Sequence, residues 1–131
     1  MAAIEKWKGR CACGAVHYES TEKPSLSFHC QCRQCQRATG NGHASLFVVS
    51  KNSTTVIGEM AFYDQKADSG NTVSRGFCPN CGSPMINRAT AYPDHLVVNT
   101  ATLDDPSIFG PSNVLFTESS QPWDHIDLKL K

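Results

Sequence analysis

Hydrophobic and polar residues alternate over short runs along this chain, and no apolar pattern at helical spacing lasts for three turns. The runs are rich in β-branched and aromatic residues and are bounded by Gly, Pro, Asn, Asp or Ser, which is typical of strands separated by turns. We predict about nine strands, in the segments AVHYES, LSFHCQC, HASLFVVS, TTVIG, MAFYDQ, TVSRGF, PMINRAT, HLVVNTATL and NVLFTES. The pattern therefore predicts an all-β domain.

Helical structure is expected in only two short turns. One follows Cys35. The other lies in DDPSIF, where Asp104 or Asp105 can cap a turn with Pro106 near its first position. The chain has 131 residues, enough for one domain to bury a core without disulfides, and we predict a single domain over residues 1–131.

Charge on this chain is balanced, with 12 basic and 12 acidic residues. The sequence therefore lacks the long-range positive field of a dedicated nucleic-acid or membrane-surface binder. The first residues, MAAIEKWKGR, carry charges where a signal peptide needs an apolar segment, and no later run approaches the ~18 apolar residues of a membrane span. We expect a cytoplasmic protein with a small-molecule partner, and neither a nucleic-acid nor a membrane partner.

Seven cysteines are the main chemical signal in the sequence. In a reducing compartment they indicate metal binding or catalysis rather than disulfides. They fall into three clusters, which are Cys11 with Cys13, Cys30 with Cys32 and Cys35, and Cys78 with Cys81.

The first and last clusters together predict a structural zinc site. In CPNCG, the turn between Cys78 and Cys81 lets backbone amides face both sulfurs, and Gly82 supplies a left-handed residue. Cys11 and Cys13 are two positions apart, so on a strand both side chains project from one face. We pair these four cysteines around a zinc ion that stabilises the fold. The alternative is that Cys11 and Cys13 are small buried residues.

Three cysteines remain, and three protein ligands with an open fourth position are typical of a catalytic zinc. We predict that Cys30, Cys32 and Cys35 hold such an ion, which gives two zinc ions per chain. His29 faces away from the neighbouring Cys30 on an extended strand, whereas His43 is an alternative fourth ligand. A further alternative is a redox dithiol of the C-x-x-C type, but that motif normally starts a helix in a βαβ unit.

A zinc site with three thiolates favours thiol chemistry. Its net charge is about minus one, so it acidifies bound water less than a site with neutral imidazole ligands does. An incoming thiol gains more, because zinc holds it as a thiolate at neutral pH. A fourth thiolate then needs nearby cations. Arg33 and Arg37 are candidates for this role and for binding a substrate carboxylate, the alternative being two solvated surface arginines.

Proton transfer to or from the substrate oxygen needs a further group. The candidates are His43, Gln34 and Tyr63, and His43 is preferred because the ordinary pKa of histidine lies near neutral pH. Arg37 completes the predicted catalytic set with His43 and Gln34. Gly42 is expected to let the backbone approach the substrate, with a plain turn as the alternative.

Five motifs occur in order over residues 9–123, namely GRCACGAVHYES, FHCQCRQCQRATGNGHA, RGFCPNCGSPM, TLDDP and QPW. Their order and separations resemble the glutathione-dependent formaldehyde-activating enzyme family, also called the centromere-protein-V-like family. The resemblance implies a β-tent fold, with antiparallel sheets joined by zinc. It also implies the same two zinc sites, and a carbon–sulfur lyase that condenses or releases formaldehyde and glutathione through S-hydroxymethylglutathione.

We therefore predict a zinc-dependent carbon–sulfur lyase that acts on a thiol adduct, with glutathione as the leading thiol. One alternative is a glutathione or thiol carrier that uses the same open site without catalysis. Another is a zinc-stabilised interaction module, although the balanced charge argues against its nucleic-acid-binding form. Exposed strand edges in small β domains commonly pair, so a homodimer is also a candidate.

Overall fold

The computed structural model describes residues 6–127 as strands, one α-helix and short 3₁₀ turns. The strands are β1 (Trp7–Arg10), β2 (His17–Ser20), β3 (Leu26–Cys30), β4 (Ala44–Ser50), β5 (Thr54–Ile57), β6 (Ala61–Lys66), β7 (Thr72–Phe77), β8 (Pro84–Ala89), β9 (His95–Asn99) and β10 (Asn113–Leu115). The helix is α1 (Arg33–Thr39), and the 3₁₀ turns are Lys51–Ser53, Thr100–Thr102, Pro106–Ile108 and Thr117–Ser119. The all-β prediction is confirmed.

The strands form two sheets. The smaller sheet has the order β1-β2-β5, and the larger has the order β10-β3-β4-β9-β8-β7-β6. β10 runs parallel to β3, and the other pairings between the described strands are antiparallel. This arrangement of two sheets with little helix agrees with the β-tent fold that the resemblance implies.

The centre of the larger sheet is buried on both faces. In β4, Phe47 and Val49 belong to the main core, to which the smaller sheet contributes Trp7 and Tyr18. The alternate residue Leu46 belongs to a second core. Because neighbouring residues of a strand point to opposite faces, β4 separates the two cores.

Strand β1 and the start of α1 differ from the sequence-based expectations. The segment WKGR is not among the predicted strands because it is short and mostly polar, yet it pairs with β2 along its whole length. Helix α1 begins at Arg33, before Cys35 rather than after it. The Cys32 sulfur accepts the N–H of Cys35 at 3.2 Å and so caps the helix.

The second predicted helical turn is confirmed. Pro106 begins the 3₁₀ turn Pro106–Ile108, and the Asp105 side chain accepts the N–H of Ser107 at 3.2 Å. Within residues 6–127, no helix combines the length and the apolar composition needed to cross a membrane.

Gly9 joins β1 to the segment that follows β9. It forms a bridge with Leu103, and a Cβ atom at position 9 would lie 2.1 Å from the carbonyl oxygen of Thr102. The same Cβ atom would lie 2.6 Å from the hydroxyl of Tyr18, which is itself 2.7 Å from the Thr102 hydroxyl. Only glycine fits at this close approach.

The substitution Gly9→Ala is expected to reduce the free energy of unfolding by ~1–3 kcal/mol, since the added methyl group overlaps backbone atoms. Gly110→Ala is the matched control, because nothing lies within 4 Å of a Cβ atom there. The control should unfold at or slightly above the wild-type temperature. Thermal unfolding followed by circular dichroism compares them, and equal midpoints for the two variants would contradict the close approach at Gly9.

Candidate metal centres

Four cysteines converge at the first candidate metal centre. The sulfurs of Cys11, Cys13, Cys78 and Cys81 all lie within 4.8 Å of one another. The Cys13 sulfur is 3.6 Å from that of Cys11 and 3.8 Å from that of Cys78. Thiolates arranged tetrahedrally at the usual Zn–S distance of ~2.3 Å are separated by ~3.8 Å. The donors and their spacing therefore fit a tetrahedral metal ion such as zinc.

Two turns closed by glycine present these sulfurs. Gly82 has a φ of 78°, as the CPNCG motif predicts, and its N–H donates to the carbonyl of Cys78. Gly14 has a φ of 81°, and its N–H donates to the carbonyl of Cys11. The sequence-based assumption that Cys11 and Cys13 lie on a strand is therefore wrong, because β1 ends at Arg10. A tight turn after β1, rather than the pleat of a strand, brings that pair together.

Polar groups surround the sulfurs of the first centre. The Asn80 amide nitrogen lies 3.3 Å from the Cys13 sulfur, and the Ser83 hydroxyl lies 3.2 Å from the Cys81 sulfur. Hydrogen bonding from Ser83 lowers the pKa of Cys81 to about 5. The same hydroxyl accepts the N–H of Ala12 at 3.1 Å. Ser83 therefore links the two turns and favours the thiolate that a metal requires.

Three cysteines form the second candidate centre, where the chain passes from β3 into α1. Cys30 ends β3, Cys32 caps α1, and Cys35 lies in the first turn of the helix. Their sulfurs lie within 4.8 Å of one another, and no other Cys, His, Asp or Glu in residues 6–127 joins this group. The centre therefore offers three sulfur donors.

Thiols this close to one another cannot all ionise independently. Hydrogen bonds from Cys30 and then Cys35 lower the pKa of Cys32. Hydrogen bonding to Cys32 raises the pKa of Cys30. For Cys35, the hydrogen bond with Cys30 is outweighed by that with Cys32 and by burial, so its pKa is raised. A divalent cation would offset the charge of three thiolates, and the donor set fits such an ion.

His43 lies outside the sulfur group, so the alternative in which it is the fourth ligand is wrong. Its Nδ1 atom is 2.9 Å from both carboxylate oxygens of Asp124, which also accepts the Gln31 amide at 3.1 Å. Its ring meets that of His29 edge to face, with centroids 4.9 Å apart. His29 in turn lies 2.9 Å from the Ser45 hydroxyl. The two histidines thus belong to a separate polar network.

The environment of this network shifts two pKa values. Burial tends to raise the pKa of Asp124, but hydrogen bonds from Gln31 and His43 bring it below its ordinary value. Burial, and then the neighbouring His43, lower the pKa of His29. A Cβ atom at Gly42 would lie 2.4 Å from the Asp124 carboxyl carbon. Gly42 therefore admits a carboxylate of its own chain, and its contact with substrate stays a prediction.

Helix α1 also carries three residues that are predicted from the sequence to act in catalysis or substrate binding. Arg33 is exposed and donates to the side-chain oxygen of Gln36. Arg37 is exposed in the last turn. The Gln34 amide lies 3.4 Å from the carbonyl of Lys66. Among the described contacts, none joins these three predicted residues to a sulfur of the second centre, and their roles in catalysis and substrate binding stay predictions.

Sequence reasoning missed a cation beside the three sulfurs. The Nη2 atom of Arg75 in β7 lies 3.9 Å from the Cys35 sulfur, and its Nε atom lies 3.1 Å from the side-chain oxygen of Gln65. The charge of Arg75 favours the thiolate forms of Cys32 and Cys35. No local pattern signals this contact, because Arg75 is only an arginine in a predicted strand, 40 positions from Cys35.

A cavity of about 230 Å³ lies beside Arg75. Its lining includes Thr39 of α1, Tyr63 of β6 and Asn87 of β8. Of the acid–base candidates drawn from the sequence, the lining contains Tyr63 but not His43. The cavity therefore brings a phenol, a guanidinium and an amide together, and Arg75 links it to the second centre although no cysteine lines it.

The two centres lie on opposite faces of the larger sheet. Cys11 and Cys78 belong to the main core, between the sheets. Cys30 and Cys35 belong to the second core, on the side of α1. The first centre therefore joins the sheets to each other, whereas the second lies under α1 and is linked to the cavity through Arg75.

A family model for glutathione-dependent formaldehyde-activating enzymes matches residues 6–119. The chain belongs to this family. Its fold is similar to the crystal structure of a Rhodobacter sphaeroides protein, with a TM-score of 0.61 and 23% identity, covering 82% of this chain and 98% of that chain. At this identity the likeness concerns the fold alone. Comparison with curated proteins finds no match.

The family assignment agrees with the resemblance drawn from the five motifs. For a member of the glutathione-dependent formaldehyde-activating enzymes, the resemblance implies two sets of cysteine ligands. The structure brings the same two sets of sulfurs together, which are Cys11, Cys13, Cys78 and Cys81, and Cys30, Cys32 and Cys35. Both sets are able to hold a metal ion.

Removing one sulfur from each set is expected to have different results. Cys35→Ala should lose one bound metal ion per chain and keep its fold, because the first centre remains intact. Cys78→Ala should lose an ion and also unfold at a much lower temperature, since Cys78 is fully buried in the main core. Metal content by mass spectrometry, together with circular dichroism, measures both effects. Full wild-type metal content in Cys35→Ala would contradict the assignment of the second centre.

Proposed function

We propose that this protein is a zinc-dependent carbon–sulfur lyase that acts on a glutathione–aldehyde adduct, with S-hydroxymethylglutathione as the leading substrate. The observation that carries the proposal is the second centre, in which three sulfurs, without a fourth ligand from residues 6–127, lie beside Arg75 and a cavity. Three protein ligands are typical of a catalytic zinc. The name of the family, with its glutathione and formaldehyde, supports this substrate class.

Zinc bound to the three sulfurs would hold a substrate sulfur as a thiolate at neutral pH. The residues of the chain supply charge and position around that sulfur. Arg75 offsets the negative charge that accumulates when a fourth sulfur joins three thiolates. The hydrogen bond to Gln65 holds its guanidinium in the orientation that reaches Cys35.

The proposed reaction involves no oxidation or reduction. In the release direction the carbon–sulfur bond breaks, its electron pair stays on sulfur, and the hydroxyl oxygen loses its proton as the carbonyl of formaldehyde forms. In the condensation direction the thiolate attacks the carbonyl carbon, and the oxygen takes up a proton. A side chain close to that oxygen therefore has to accept or donate one proton.

Tyr63 is better placed for this proton transfer than His43. Tyr63 lines the cavity and lies directly opposite Arg75 in the pairing of β6 with β7. A phenol hydroxyl is able to donate a proton to an oxygen that is becoming an alkoxide. His43 is instead bonded to Asp124. We therefore assign proton transfer with the substrate oxygen to Tyr63, whereas the sequence by itself favours His43 for this role.

The zinc-loaded protein is expected to accelerate the decomposition of S-hydroxymethylglutathione. Cys35→Ala should abolish this acceleration, because the second centre then lacks a sulfur donor. Formaldehyde release is followed colorimetrically, with protein-free buffer that contains the same zinc concentration as the control. Binding of glutathione without any acceleration would contradict the lyase and support the thiol carrier.

Substitution at Tyr63 tests the assignment of the proton. Tyr63→Phe is expected to lower kcat by ~10²-fold or more, since it removes only the hydroxyl group. His43→Gln keeps a side chain that can hydrogen-bond to Asp124, and its kcat should fall much less. Both variants are compared at saturating substrate. A larger loss in His43→Gln than in Tyr63→Phe would overturn the assignment to Tyr63.

A further inference from the structure

A row of polar side chains crosses three neighbouring strands next to the second centre. In the antiparallel pairings, Tyr63 of β6 lies opposite Arg75 of β7, and Arg75 lies opposite Asn87 of β8. Directly opposed residues point to the same face of a sheet. Asn87 is in turn opposite Val97, which packs on the second core. The row therefore lies on the same face as the three sulfurs.

Asn87 in this row is mostly buried, but its side-chain polar atoms are not among the fully buried unpaired ones of the described residues. It is only 7% exposed. The hydrogen bonds of residues 6–127 include none from its side-chain amide, although this amide offers two donors and an acceptor. Asn87 also lines the cavity. An amide that lines the cavity and forms no hydrogen bond within residues 6–127 is available to pair with a ligand there.

Arg75 fixes where the sulfur end of such a ligand lies. Its guanidinium reaches the Cys35 sulfur, and opposed residues of an antiparallel pair have Cα atoms only ~4.5–5.5 Å apart. The Cα atom of Asn87 therefore lies one strand spacing from that of Arg75, whose guanidinium faces the Cys35 sulfur. In a cysteinyl thiol the peptide groups are separated from the sulfur by two carbon atoms. An amide at Asn87 and a sulfur at the second centre thus suit one ligand.

The size of the cavity limits how much of the ligand it takes. Its volume of about 230 Å³ is below the ~300–1,000 Å³ that is usual for pockets that bury drug-sized ligands. The space suits a thiol, a one-carbon group and a neighbouring peptide group rather than a whole tripeptide. The remainder of a longer substrate then lies outside the cavity.

We infer that this cavity binds the reacting end of a peptide thiol, and that Asn87 determines specificity by pairing with a peptide group two carbon atoms from the sulfur. Arg75 faces the sulfur in the same complex. The inference rests on the proposed function for the position of the sulfur. It adds a residue that selects amide-bearing thiols over simple thiols, because a simple thiol covers the Asn87 amide without pairing with it.

Calorimetric titration of the zinc-loaded protein tests the inference without any turnover. The probes are N-acetylcysteine amide, which has peptide groups two carbon atoms from the sulfur, and 1-propanethiol, which has no polar group besides its thiol. Asn87→Leu is expected to weaken binding of the first by about tenfold and to leave binding of the second nearly unchanged. Asn52→Leu, in an exposed turn outside the cavity lining, is the matched control and should bind both thiols as the wild type does.

Unfolding midpoints and metal content show whether Asn87→Leu remains folded and loaded. If it does not fold, the side-chain amide of Asn87 is followed by nitrogen NMR in the wild type, where the peptide thiol should shift its resonance more than 1-propanethiol does. Equal losses of affinity for the two thiols in Asn87→Leu, or equal shifts of the Asn87 amide resonance, would overturn the inference even if the lyase is active. Selective losses in a protein without lyase activity would uphold the inference and overturn the lyase.

Discussion

Burial of the larger sheet on both faces is the constraint on which the rest of this structure depends. In β4, Ala44 and Leu46 pack in the second core, while Phe47 and Val49 pack in the main core. A strand buried on both sides has only one register that satisfies both cores, since a slip by one residue would exchange them. The neighbouring strands inherit this register through their pairing. Each polar or sulfur-bearing side chain is thereby assigned to one face.

The two candidate metal centres differ in their number of sulfur donors and in the core that surrounds them. The first centre lies where the main core meets two glycine-closed turns, and four donors there complete a tetrahedral set. The second lies under α1, where three crowded thiols favour ionisation of Cys32 and oppose that of Cys30 and Cys35. Such crowding is unfavourable without a cation, which explains why Arg75 and the helix cap at Cys32 are found beside it. A complete set stabilises the fold, whereas an incomplete one leaves a position for a ligand.

Helix α1 is also held from outside by the C-terminal part of the described chain. The Gln36 amide donates to the carbonyl of Gln31 at 2.8 Å and to that of Ser119 at 2.9 Å. The Gln121 amide donates back to the Gln36 side chain at 3.0 Å. Together with the bond from Gln31 to Asp124, these contacts fix the helix that carries Cys35. The position of one sulfur in the second centre therefore depends on residues far along the chain.

The sequence by itself determined the all-β class and the division of the cysteines. Strand composition is a local property, and sulfurs two or three positions apart are brought together by a single turn. Tertiary structure decided that Arg75 lies beside Cys35, and that His43 is bonded to a carboxylate 81 positions away. It also decided that Asn87 is buried beside a cavity. Such contacts depend on the register of whole sheets, which burial on two faces fixes and no local pattern encodes.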